Sequence, residues 1–108
     1  MENRECLIDR MTENLPVLRK KLKLSQDNLA QIIGSSRYTV MLIETGKRRM
    51  TWNTFLSLIL LFEKNDSTAA LLRALDIYTS ELDRMLVLDE MSYGAKKTGR
   101  NEEMDVSR

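Results

Sequence analysis

The stretch Leu24-Ser25-Gln26-Asp27-Asn28-Leu29-Ala30-Gln31-Ile32-Ile33-Gly34-Ser35-Ser36-Arg37-Tyr38-Thr39-Val40-Met41-Leu42-Ile43-Glu44-Thr45-Gly46 writes two short helices around a three-residue turn. Ser25 suits the start of the first, because its hydroxyl can accept the otherwise unpaired N–H of Asn28. That helix is expected to run to Ile33 with Leu29, Ile32 and Ile33 turned inward. Gly34 ends it: with no Cβ it takes the left-handed backbone of a tight reversal, and Ser35 or Ser36 then caps the next helix. Ala30 supplies a small side chain where two helices cross closely. In the second helix Val40 and Ile43 face a core, so at about 100° per residue Tyr38 and Leu42 point away from it. Arg37, Met41 and Thr45 flank that outward face, Gly46 terminates the helix, and Lys47-Arg48-Arg49 comes next.

A helix that presents arginine and tyrosine near its N-terminus can reach base edges in a major groove. The pattern is that of a helix-turn-helix, with double-stranded DNA as the expected partner. Charge offers a separate test. Overall the chain of 108 residues is nearly balanced at +1. From Arg19 to Arg49, however, eight basic residues stand against two acidic ones, while the remainder carries nine against fourteen. A basic stretch of net +6 in an otherwise acidic chain is the footprint expected of phosphate binding, which counterion release favours.

Leu18-Arg19, Ser25-Gln26, Leu29-Ala30, Gly34, Ser36-Arg37, Val40, Ile43-Glu44 and Gly46-Lys47 together resemble the Cro/phage-repressor (Xre-type) helix-turn-helix family, over roughly residues 15 to 62. The resemblance implies an all-α, five-helix lambda-repressor-like domain with an additional C-terminal helix or helices. It also implies roles. Gln26 would bond a phosphate and brace the recognition helix; Arg37, Tyr38 and Leu42 would read bases; Ser36, Thr45, Lys47 and Arg48 would touch the DNA backbone. Arg19 and Glu44 would form a structural ion pair between the first helix and the end of the recognition helix. Three positions depart from the family pattern: Thr45 where asparagine is common, Met50 where proline is common, and Leu42 where a polar residue is usual. Leucine offers a base only apolar contact, for example with a thymine methyl. The apolar Tyr38, Met41 and Leu42 face would also suit a protein partner.

The rest of the chain divides into a helical extension at 1–14, the DNA-binding domain at 15–64, a C-terminal helical segment at 65–91 and a tail at 92–108 expected to be disordered. Cys6, Leu7, Ile8 and Met11 have helical spacing. Pro16 suits the first turn of a helix from Leu15 to Lys23, with Leu15, Leu18 and Leu22 inward. The extension either stands alone or joins that helix through a kink at Pro16. Thr51 is expected to cap a helix through Phe62, with Trp52, Phe55, Leu56, Ile59 and Phe62 as its core stripe. Leu60 and Leu61 are then surplus, which suggests that a downstream segment covers them. Leu71, Leu75, Tyr78, Leu82 and Met85 have the seam spacing of packed helices in a helical stretch from about Thr68 to Met91, broken near residues 77–80. That segment packs on its own chain, joins a dimer interface, or does both. Lys96, Lys97 and Arg100 in the tail read as solvated charges.

Composition excludes much else. The chain has no histidine and one cysteine, so no intrachain disulfide and no metal-ligand cluster is expected. Cys6 reads as a small buried apolar residue. No phosphate loop or nucleophile–base pair is present, which argues against an enzyme and against a cofactor. The longest apolar run, Phe55 to Phe62, is too short to span a membrane, and a reducing cytoplasm is expected. The reading is a prokaryotic or phage transcriptional regulator, a repressor in its simplest form, that binds an inverted-repeat operator as a homodimer. The alternative is an antitoxin or other interaction module built on the same motif.

Overall fold

Leu7, Met11, Leu15 and Leu18 recur at intervals of four, four and three, one uninterrupted apolar stripe that crosses Pro16. In the computed structural model, which describes residues 4–88, that stripe belongs to a single helix, α1 (Arg4–Lys21), with Leu7, Ile8, Met11, Leu15 and Leu18 buried. Pro16 withdraws one N–H from the ladder. In the preceding turns Thr12 donates its hydroxyl to the Ile8 carbonyl at 2.8 Å, and Asn14 its amide to the Arg10 carbonyl at 2.8 Å. The expected extension, from Arg4 to Asn14, therefore shares one helix with the segment from Leu15 to Lys21. Cys6 is exposed rather than buried, because Leu7 and Ile8 hold the inward positions beside it.

The chain leaves α1 through Lys23, at φ +59°, and enters α2 (Gln26–Ile33), α3 (Arg37–Glu44) and α4 (Trp52–Glu63). Thr51 caps α4, its hydroxyl accepting the Thr54 N–H at 3.1 Å. Phe55, Leu58, Ile59 and Phe62 form the buried stripe of α4, and Trp52 stacks on Phe55 with centroids 4.7 Å apart. Leu58 takes a core position that the expected stripe lacks, while Leu56 is only partly buried.

Beyond α4 lie α5 (Asp66–Ala74) and α6 (Ser80–Leu86), which makes six helices and no strand among the described residues. The Leu71-to-Met85 seam is thus not one helical face. Asp76 adopts φ +59°, and the N–H groups of Ile77 and Tyr78 both turn back to the Leu72 carbonyl. Thr79 restarts the helix by accepting the Leu82 N–H at 3.1 Å. Thr68, Leu72, Ile77 and Leu82 are fully buried against the rest of the core. The buried Thr68 hydroxyl is satisfied, donating to the Phe62 carbonyl at 2.7 Å. The segment covers α1 and α4 in this way, yet Leu60 on the outer face of α4 remains 64% exposed, against the expectation that it is covered. The tail at 92–108, with Lys96, Lys97 and Arg100, lies outside the described residues. Among the described residues no helix is long and apolar enough to cross a membrane.

Candidate nucleic-acid interface

Two reciprocal bonds start α2. The Ser25 hydroxyl accepts the Asn28 N–H at 2.9 Å, and the Asn28 side-chain oxygen accepts the Ser25 N–H at 3.3 Å. Leu29 and Ala30 are its buried pair. With the core lying between those two directions, Ile33 falls near the middle and Ile32 outside, so Ile32 is 54% exposed rather than inward. Gly34 adopts φ +72° and ψ 37°, and its turn is closed by the Ser35 N–H on the Ala30 carbonyl at 2.8 Å. Ser36 then caps α3, accepting the Thr39 N–H at 3.0 Å.

Val40 and Ile43 anchor α3 in the core. Its other end is held by a polar lock. Arg19 donates through Nε to Glu44 Oε2 at 2.7 Å and through Nη2 to Oε1 at 3.0 Å, and its Nη1 bonds the Leu24 carbonyl at 2.9 Å. Gln26 donates its amide to Glu44 Oε1 at 3.0 Å. The two charged side chains are only 11% and 6% exposed. One carboxylate thereby joins the end of α1, the start of α2 and the end of α3, so the orientation of α3 is set by three elements at once. The Gln26 amide has a second hydrogen, which a phosphate can still receive.

On the outward side of α3, Arg37 and Tyr38 are exposed, whereas Met41 and Leu42 are only partly so. Beyond the helix the chain turns at Gly46, φ +79°, and reaches the exposed Lys47. Arg48 folds back to donate to the Thr39 hydroxyl at 3.0 Å. Cationic groups therefore bracket the helix: Arg37 at its start, Arg48 against its first turn and Lys47 past its end.

Intramolecular partners engage two residues expected to touch the DNA backbone and one cation counted in the basic stretch. The Thr45 hydroxyl donates to the Met41 and Leu42 carbonyls at 2.9 and 3.2 Å, so its one hydrogen is used by its own helix. The Ser36 hydroxyl donates to Thr39 at 2.9 Å. Arg49, counted with the basic cluster, is clasped to α1: it donates to Asp9 at 2.8 Å and pairs with Glu5 at 2.6 Å. The hydrogen bond it donates to Asp9, with the charges of both carboxylates, raises the pKa of its guanidinium. Arg19 and Arg49 are thus matched by carboxylates, which leaves Lys20, Lys21, Lys23, Arg37, Lys47 and Arg48 to shape the field of this region. Thr39 joins this surface although the sequence alone assigns it no part. Its three-residue spacing from the capping Ser36 is the available signal; its contact with Arg48 depends on how the chain turns at Gly46.

No family model, no curated protein and no solved structure matches this chain.

Proposed function

We propose that this chain is a sequence-specific DNA-binding transcriptional regulator of the Cro/phage-repressor helix-turn-helix kind, acting as a homodimer. α3 enters the major groove. Arg37 and Tyr38 reach base edges from its first turn, and Leu42 offers the half-buried apolar contact that a thymine methyl would fill. Gln26, Lys47 and Arg48 hold phosphates on either side; Ser36 and Thr45 join them only if their hydroxyls turn from Thr39 and from the end of α3. Occlusion of a promoter is the simplest output.

The observation that carries this reading is the lock at Glu44. An exposed helix needs no three-way anchor for its own sake. A helix that must present two side chains to fixed base edges does, because a readout contact is lost with displacements on the scale of a hydrogen bond. The cations that bracket the same helix supply the sequence-independent share of affinity.

The test is selection of duplexes from a random pool by the purified chain at about 150 mM salt, where non-specific binding is weak. Recovery of an inverted repeat with half-sites about 34 Å, one helical turn, apart is the expected result. Salt-sensitive binding with no consensus would overturn it.

A further inference from the structure

We infer that the outer face of α4, centred on Leu60, is the surface through which two copies of this chain associate. Leu60 lies on the side of α4 away from Phe55, Leu58 and Phe62, and stands as a ridge between two apolar grooves. One, of about 370 Å³, is lined by Ile32, Ile33, Leu60 and Leu61 and rimmed by Lys64. The other, of about 310 Å³, lies between Leu60, Leu56 and Ile59 on one side and Tyr78 and Leu86 on the other. Since both grooves share Leu60, the apolar strip runs from α2 across α4 to α6.

The size of the strip argues that something covers it. Ile32, Leu60 and Leu86 are 54%, 64% and 46% exposed, and Ile33, Leu56, Leu61 and Tyr78 beside them are partly exposed. Together these seven side chains expose on the order of 500 Å², near the upper end of the patches found on monomeric proteins. With a polar rim, such a patch approaches the roughly 800 Å² per partner of a stable interface.

Shape and composition identify the occupant. Residues 89–108 contain only Met91, Tyr93, Ala95, Met104 and Val106 as apolar side chains, against nine charged ones, too little apolar surface to match the strip. A second copy can. A ridge flanked by grooves is self-complementary under a two-fold axis, since each Leu60 can enter the partner's groove while receiving the partner's in return. Charge does not oppose the contact: Glu63 at the rim is already neutralised by Arg73, whose two terminal nitrogens donate to it at 2.6 and 2.7 Å. Lys64 can keep its ammonium in water while its stem lies along the apolar surface.

The inference takes from the proposed function the expectation of a symmetric dimer and names the surface; its test needs no DNA. Sedimentation equilibrium on the full chain would compare the native sequence with Leu60→Asp and Ile32→Asp, with circular dichroism melts to verify folding. Both positions are exposed in the single chain, so both variants should still unfold in one cooperative transition, below the parent only by the stability that association adds. A dimer that Leu60→Asp weakens at least about 30-fold, the effect of losing a central interface anchor, is expected. A native chain that stays monomeric, or a dimer that neither substitution disturbs, would overturn the assignment. A chain that dimerises through Leu60 but selects no duplex would sink the DNA reading and leave this surface standing. Specific half-site binding by a monomer would do the reverse.

Discussion

Glu44 accepts hydrogen bonds from two nitrogens of Arg19 and from Gln26 while almost fully enclosed. Removing one member of such a pair leaves a desolvated charge, so Glu44→Ala is expected to cost about 3–5 kcal/mol in denaturant melts. A loss below about 1 kcal/mol would put the pair with ordinary surface ion pairs. The outward residues should behave in the opposite way, with little effect on stability and a large one on binding. Arg37→Ala is expected to cost about 1–3 kcal/mol on the selected site and to relax base preference there, whereas Lys47→Ala should weaken all duplexes alike and lower the salt slope by about one. Titrations against the selected site and a scrambled duplex at several salt concentrations separate the two. Tyr78 supplies a pH signature. Burial, and then its hydrogen bond to Asp83 at 2.9 Å, raise the pKa of the phenol. A raised value favours the protonated form in the fold, so this stabilisation is complete below the ordinary tyrosine value of about 10 and fades as pH climbs through the folded one. Above about pH 10, stability of the native chain should therefore fall more steeply than that of Tyr78→Phe, as read by urea melts. Parallel curves would remove Tyr78 from the titration.

At the scale of elements, most of what forms α2, α3 and α4 is local. Ser25, Ser36 and Thr51 each accept an N–H three residues ahead, and such a bond needs nothing from the rest of the chain. Gly34 is equally local. A Cβ built on it meets nothing within 4 Å, yet its backbone is left-handed. Gly34→Ala should therefore lose about 1 kcal/mol, from backbone conformation alone, and Gly34→Asn less. A loss of several kcal/mol for alanine would mean that the turn is packed more tightly than it stands. The same locality explains where sequence reading of the elements fails. Helical spacing places Ile32 within one turn of Leu29 and Ile33, but whether the core extends that far depends on where α4 lies. Leu60 is readable as surplus to its own helix; that α5 and α6 leave it uncovered is not, because the chain beyond the break at Asp76 buries Ile77 and Leu82 in the common core instead.

For the whole molecule, burial of Leu82 at the far end of the described chain ties α6 to the same core as Leu7 and Phe55. Leu82→Ala is accordingly expected to cost about 2–5 kcal/mol and to lower the midpoint of one cooperative transition. Two separated transitions in calorimetry would instead make the C-terminal helices an independent unit. Distant contacts also decided the electrostatics. Arg49 meets Asp9 across 40 residues, and Arg10 donates to the Asp76 carbonyl across 66. A count of charges along the chain treats Arg49 like Lys47, although one is matched by two carboxylates and the other stands exposed. By itself, the sequence determined the all-helical class, the caps at Ser25 and Thr51, the glycine turn and the side of α3 that carries Arg37 and Tyr38, because each depends on residues within about a turn of one another. Tertiary structure alone decided that α1 continues as one packed helix through Pro16, that Ile32 and Leu60 remain outside the core, and which cations keep their charge unmatched. Those outcomes depend on the relative placement of finished helices, which no short-range pattern encodes.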